Sequence, residues 1–320
     1  MRTEIVNDVC IKHFNEKPNG LERFETGYAN YVYFACYEDA NYVVRIGGDD
    51  YEKYNPTYWI DELKDLDIPI PKILYNGELD GYHYLILNHI EGNDLGHLYK
   101  TLSDCDKKEI AKSIIDIQNK VATLRMNNGF GCVANYGDSS SKENWKDVVL
   151  GDLDRSRTWI EKNKIFDVNK VEAVEELLTK YDEYFQSVKP IPFLDDITTK
   201  NVLVNDCRVS GVIDLDWLCF GDRLYFIALT NMSLINSLND TKYIDYLIEE
   251  QEASDFDKQI IKLYTLVFCV IFMSEKGMKF NKDEAPKVDE TEIARLNSVY
   301  SELYSECSNS ILQELKSIHK

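Results

Sequence analysis

An island of extended chain inside helical sequence constrains this fold most. Residues 191–214 read IPFLDDITTKNVLVNDCRVSGVID, short apolar runs separated by polar turns. Asn201–Val204 and Arg208–Asp214 are predicted to pair antiparallel across the turn Asn205-Asp206-Cys207. Around the island the apolar period is helical. Ile110, Ile114, Ile117, Val121 and Leu124 form one stripe, opened by Ser103 with Asp106 three residues on, which is a capping pattern. Val171, Val174, Leu178, Tyr181 and Phe185 predict a second helix over 170–188. The stretches 223–250, 256–275 and 289–318 are also helix-like, and 283–290 reads as an exposed loop.

The first 91 residues follow another pattern. TGYANYVYFACYE and ANYVVRIGG predict a hairpin over 25–47, with Glu38–Asn41 as its turn. A short helix is expected at 57–66. Pro69 and Pro71 then favour extended chain. Strands are expected at Ile73–Tyr75 and Tyr82–Ile90 around a GELDG turn. The expected fold is therefore α+β with two lobes: a small antiparallel sheet with one helix in residues 1–91, and a larger mainly helical lobe in 92–320, joined by a crossing near 88–95.

Composition narrows the function. A net charge of −20 over 320 residues offers no basic footprint for nucleic acid, but it suits a cationic small molecule drawn into a cleft. No apolar run reaches the roughly 18 residues of a membrane span. The longest, Leu263–Met273, reads as a buried helix. The N-terminus lacks a signal-peptide pattern, so a cytoplasmic location is expected. The eight cysteines are scattered without metal-ligand spacing and are expected to be reduced thiols, with Cys36, Cys219 and Cys269 in apolar runs.

Asp195 and Asp196 stand together in the apolar run FLDDITTKNVLV, where buried carboxylates are costly unless paired. Asp196, Asn201 and Asp214 fall at the ends of short strands, and the hairpin brings Asn201 near Asp214. Asn and Asp oxygens are hard ligands of the kind Mg²⁺ prefers. Asp196, one loop away, is placed to take a proton from a hydroxyl nucleophile, an arrangement that serves phosphoryl transfer.

DITTKN (196–201) resembles the catalytic loop of the aminoglycoside phosphotransferase family, whose usual form is His-Gly-Asp, four residues, Asn. VID at 212–214 followed by FGD at 220–222 is similar to its metal-binding segment. GYANYVY (27–33) resembles the family's phosphate loop and YVVRI (42–46) its strand with a phosphate-contacting base. IPIP (68–71) is similar to its Pro-x-Pro, and LILNHIEGNDL (85–95) to its hinge and Gly-x-x-Leu. The ordered set runs from residue 27 to 228. The Arg45–Pro69 spacing and NGFG at 128–131 look most like the hygromycin B phosphotransferase branch.

The resemblance implies a protein-kinase-like fold and transfer of the γ-phosphate of ATP or GTP to a hydroxyl of a cationic or hydroxylated small molecule, foremost an aminoglycoside. It implies Asp196 as catalytic base, and Asn201 and Asp214 as ligands of Mg²⁺. Arg45 would contact the α- and β-phosphates, backbone groups near Asn88 and Ile90 the base edge, and Gly27 and Asn30 would let the loop close over the phosphates. The chain departs from the family pattern at Leu194 and Asp195 (for His-Gly), at Ala29 (for Ser) and at Arg45 (for Lys). The acid paired with Arg45 is left among Glu52, Asp61 and Glu62.

Other polar residues read more plainly. Asp222 looks like a helix N-cap and 249–257 like a solvated face, though acids of this lobe also suit a cationic substrate. Asp216 is either an auxiliary site residue or solvated, and His83, His89 and His97 have no catalytic partner. Trp145, Trp159 and Trp217 read as core. The same motifs serve a choline, aminosugar, thiosugar or macrolide kinase, because they handle nucleotide and not acceptor. A nucleotide-binding protein without transferase activity is the reading in another class.

Overall fold

The computed structural model describes residues 2–24, 31–47, 57–278, 287 and 289–318. Gly27, Ala29 and Asn30 of the expected phosphate loop, Glu52, and most of the 283–290 loop lie outside the described residues. The fold is α+β and protein-kinase-like, with an antiparallel sheet followed by a mainly helical part.

Helix α1 (Arg2–Phe14) and strand β1 (Gly20–Phe24) open the chain. Strands β2 (Tyr31–Cys36) and β3 (Asn41–Ile46) form the expected hairpin, closed by the Tyr37 N–H donating to the Ala40 carbonyl at 3.0 Å. The predicted helix is α2 (Tyr58–Leu63). Strands β4 (Ile73–Leu79) and β5 (Tyr82–Asn88) meet at Asp80 and Gly81, with φ of 51° and 80°, the hairpin geometry that matches strand twist. The order β1-β2-β3-β5-β4 leaves β4 at the sheet edge. Its polar residues Asn76 and Glu78 are therefore tolerated, and the strand runs past the predicted Tyr75. One sheet face packs on α1 through Val6, Val9 and Cys10 against Val44, Ile46 and Ile86. Leu85 and Leu87 join the main core with Trp59 and Leu63 of α2.

The chain crosses into β6 (Asn93–Asp94) and α3 (Leu95–Leu98). Gly92 has φ +135°, and a Cβ there would lie 2.7 Å from the Val204 carbonyl oxygen, so the tight crossing demands glycine. Helix α4 (Asp104–Val121) carries the predicted capping box of Ser103 and Asp106. Strand β7 (Gly131–Val133) and helices α5 (Trp145–Asn163), α6 (Asn169–Leu178) and α7 (Asp182–Ser187) follow. The single helix expected over 170–188 is interrupted by a 3₁₀ turn at Thr179–Tyr181, which keeps both Tyr181 and Phe185 buried.

Next come strands β8 (Ile191–Phe193), β9 (Val202–Asn205), β10 (Arg208–Val212) and β11 (Leu218–Gly221), then helices α8 (Leu224–Ser237) and α9 (Lys242–Glu250). The break in the expected 223–250 helix has a local cause. Asn239 takes the left-handed conformation that ends helices, and the Asp240 carboxylate accepts from the Lys242 N–H at 3.0 Å. Helix α10 (Asp255–Ser274) is apolar on most sides and buried, as Leu263–Met273 predicts. Helix α11 (Glu290–Ile318) ends the described chain. Among the described residues, no helix is long and apolar enough to cross a membrane.

The extended island divides between two small sheets, ordered β10-β9-β6 and β7-β11-β8. Residues 194–201 run from β8 to β9, and residues 213–217 run from β10 to β11. Because β9 pairs with β10 and β8 pairs with β11, the two loops are drawn together. Gly221 lets β11 pass the buried Trp145: an added Cβ would lie 2.2 Å from the indole. Gly221→Ala is expected to cost about 1–3 kcal/mol through overpacking, measured as a lowered thermal midpoint.

Candidate active site

The paired loops build an acidic cleft floor. Asn201 donates its Nδ2 to the Asp196 carbonyl at 2.8 Å, closing the 196–201 loop. The Asn201 N–H donates to the Thr198 carbonyl, and the Thr198 hydroxyl donates to Asp196 Oδ1 at 3.0 Å. The Ile213 N–H donates to the Asn201 carbonyl at 3.0 Å, which fastens Asp214 beside the loop. Asp214 has φ +66°, a conformation costly for a residue with a Cβ and held here by the strands on both sides. Asn201's Nδ2 being committed, its Oδ1 is the atom left for a cation.

Arg45 reaches this floor from β3. It is 6% exposed and its guanidinium lies 2.5 Å from Asp216 Oδ2 and 3.8 Å from Asp214 Oδ1. Asp216 is thus buried against Arg45, and the solvated alternative for it is dropped. Of the acids expected to pair with Arg45, Asp61 contacts Lys64 on the surface and Glu62 is exposed. The Asp214 side chain is 56% exposed, but its desolvated surroundings raise its pKa to about 6, with Arg45 opposing the rise and the charges of Asp216 and Asp196 adding to it. Asp196 is exposed at its tip, yet burial of its surroundings raises it as well, against the pull of Thr198, Lys200 and Asn201. Two carboxylates at one guanidinium, with Asp196 within electrostatic reach of Asp214, form a hard-oxygen donor set that fits Mg²⁺.

The two adjacent aspartates part company. Asp196 interacts electrostatically with Asp214, whereas Asp195 turns to Cys132, whose Sγ lies 3.3 Å from its Oδ2. Burial and the Asp196 charge push the Asp195 carboxyl up to about 7. The expectation of independent reduced thiols is corrected at one pair. Cys132 on β7 and Cys219 on β11 are register partners and are joined as a disulfide, because adjacent strands place both sulfurs on one sheet face.

At the hinge, the Asn88 N–H donates to the Lys72 carbonyl and its Oδ1 accepts from the Lys72 N–H, so these groups serve the sheet. Ile90 packs over Gly211. Asp222 accepts from the Leu224 N–H at the start of α8, as the cap reading predicts, and also from Tyr264 and Tyr184. Residues 249–257 form the expected solvated face, with Glu249 paired to Lys108 and a second capping box at Ser254 and Asp257.

Two residues escaped the sequence reading. Gln118 of α4 is fully buried; its Nε2 donates to the Leu194 carbonyl at 2.7 Å and its Oε1 accepts the Leu194 N–H at 3.0 Å. A glutamine inside the apolar stripe between Ile117 and Val121 was the available signal. Glu275, at the end of α10, is raised by burial and senses both Lys200 and Asp196. It has no local signal, since only the fold carries it to the 196–201 loop.

A sheet lobe whose buried cation reaches an Asp–Asn–Asp floor defines a kinase-like transferase. A model described as the phosphotransferase enzyme family matches residues 20–258, and the chain belongs to that family, which makes it a nucleotide-dependent small-molecule phosphotransferase. The crystal structure of a thermostable mutant of aminoglycoside phosphotransferase APH(4)-Ia, apo form, is similar in fold at a TM-score of 0.67 and 16% identity, covering 96% of this chain and 99% of that one. The streptomycin–ATP–APH(2")-IIa ternary complex gives 0.66 and 15%, covering 95% and 98%. ADP-bound aminoglycoside phosphotransferase APH(2'')-Ib gives 0.63 and 15%, covering 95% and 99%. No curated protein sequence matches the chain.

Gln118→Leu leaves the Leu194 amide and carbonyl buried without partners, at roughly 1–3 kcal/mol per group. Lower stability together with a fall in kcat larger than any change in KM is expected from chemical unfolding and steady-state kinetics. A second expectation concerns Asp214. Its folded pKa lies above the usual carboxylate value, so its charge penalises the folded state fully above about pH 6 and not at all below the unfolded pKa. Asp214→Asn is therefore expected to raise the metal-free thermal midpoint at pH 8 and to leave it unchanged near pH 3.

Proposed function

We propose that this protein moves the γ-phosphate of ATP or GTP to a hydroxyl of a cationic small molecule, with aminoglycosides as the leading acceptor class. The observation that carries this reading is the Asn201–Asp196 tether, with Asp214 fastened beside it on the neighbouring loop and Arg45 in contact with Asp214 and Asp216. In this reading residues 1–91 hold the nucleotide and residues 92–320 carry the loop and the acceptor surface. The work is positioning and charge stabilisation, without a covalent enzyme intermediate.

Each side chain then has a task. Asp196 orients the acceptor hydroxyl and takes its proton as the oxygen attacks phosphorus. Thr198 donates to Oδ1 and so helps fix the orientation of the carboxylate. Asn201 and Asp214 would hold Mg²⁺, which supplies charge neutralisation on the nucleotide phosphates. Arg45, steadied by Asp216, stands on the phosphate side of the cleft. Backbone groups near Asn88 and Ile90 take the base edge, and Gly27 and Asn30 belong to the loop over the phosphates. Glu275, close enough to Asp196 to feel its charge, offers an anion for an acceptor amine. The acid-lined floor and net charge of −20 support a cationic acceptor. The similarity to APH(4)-Ia, which has been solved in ternary complexes with hygromycin B, makes hygromycin B the first acceptor to try.

The test is release of nucleoside diphosphate from Mg-ATP and Mg-GTP in the presence of aminoglycosides, choline, aminosugars, thiosugars and macrolides. Asp196→Asn is expected to lower kcat by about 10²–10⁴-fold while nucleotide affinity is retained. Turnover by that variant at the wild-type rate would contradict the assignment of the base. Phosphorylation of choline but of no aminoglycoside would move the acceptor to the metabolite class.

A further inference from the structure

The cleft face of the first sheet carries aromatic rings that the transfer chemistry does not use. Tyr33 and Ala35 of β2 pack with α1, so strand alternation turns Phe34 to the opposite face. That is the face of Arg45, whose register partner on β2 is Val32. The Phe34 ring meets His89 at 5.0 Å between centroids and 69° between planes, and Phe24 of β1 at 6.5 Å and 61°. Phe24 is 41% exposed, and Phe34 and His89 are half-buried, so the rings keep open surface. Such a shelf beside the hinge suits a flat heterocycle. The hinge has few groups left to read the edge of one. The Asn88 N–H and Oδ1 serve Lys72. The His89 N–H donates to the Asn41 carbonyl at 3.3 Å, and the His89 carbonyl accepts from Asn88 Nδ2 at 3.3 Å. Ile90 follows, and among the described residues its N–H and carbonyl have no hydrogen-bond partner.

We propose that the nucleobase is held mainly by stacking on Phe34 and His89, with its edge contacts centred on Ile90, so that adenine and guanine nucleotides bind about equally. Adenine presents an acceptor, N1, beside a donor, the N6 amine. Guanine presents an acceptor, O6, beside a donor, N1–H. One residue with an open donor and an open acceptor meets either edge after a small slide of the base. Stacking tolerates that slide, because every purine offers the same kind of face. Glu91 steadies the shelf, its Oε1 lying 3.8 Å from His89 Nδ1. The inference rests on the phosphotransfer reading for placing a nucleotide in this cleft, and goes beyond it in saying what holds the base and which bases are accepted.

Equilibrium dialysis of the full-length protein with Mg-ADP and Mg-GDP reads both affinities without acceptor or turnover. Dissociation constants within about fivefold of each other are expected, and a larger preference for either base overturns the proposal. Binding of one base alone does so too, and leaves the phosphotransfer reading standing. Binding of neither removes that reading and this inference with it. Phe34→Leu keeps apolar cover on the sheet and removes the ring. Both constants are expected to rise on the order of tenfold, with their ratio unchanged. Wild-type affinity in that variant, or a loss confined to one base, refutes the stack. Inorganic tripolyphosphate, which has no base, is expected to displace Mg-ADP with the same inhibition constant in both proteins. An equal loss for tripolyphosphate in Phe34→Leu also refutes the stack. The wild-type comparison of ADP with GDP does not depend on any variant folding.

Discussion

Charge imbalance governs this cleft. Asp196 and Asp216 are both held within electrostatic reach of Asp214, and Arg45 contacts Asp214 and Asp216. Repulsion among carboxylates in a partly desolvated site is unfavourable, and the backbone pays for it by fixing each acid in place. The Asn201–Asp196 tether, the Ile213–Asn201 bond and the left-handed Asp214 all serve that placement. What remains unbalanced is negative charge open to the cleft, for which, in the proposed function, the Mg²⁺ carried with the nucleotide is the counterpart.

The scaffold explains how the acids stay together. The loop bearing Asp196 and Asn201 and the loop bearing Asp214 and Asp216 each bridge the same two small sheets, so neither moves alone. Gln118 clamps the backbone of Leu194 from α4, at the root of the first loop. Leu194 itself is buried core, so an apolar side chain suits the position compared above with the His of the resembled motif. The Val212 N–H donates to the Pro69 carbonyl at 2.8 Å, coupling the second loop's hairpin to the segment that enters β4.

Much of this was legible in the residues. The period change near 88–95, the Ser103–Asp106 cap, the polar-tipped hairpin and the spacing of Asp196, Asn201 and Asp214 are local patterns, and local patterns survive into the fold. Helix α1 and strand β1 were not read: α1 buries only Ile5, Val6, Val9 and Cys10 among many charges, and β1 is almost wholly exposed. The partnership of Arg45 with Asp216 spans 171 residues of sequence, and that of Cys132 with Cys219 spans 87. Such pairs follow from strand order, which no window of sequence contains. The contact of Asp195 with Cys132 is hidden for the same reason, since the sheet that carries Cys132 is assembled from β7, β8 and β11.

If the acidic floor receives a metal-bound nucleotide, thermal unfolding with ATP or GTP will report it. A rise of several degrees in the midpoint is expected at saturating nucleotide with Mg²⁺, and little or none when Mg²⁺ is withheld with a chelator. An equal rise with and without Mg²⁺ would mean that Asn201 and Asp214 do not share a cation with the nucleotide, and would overturn that reading.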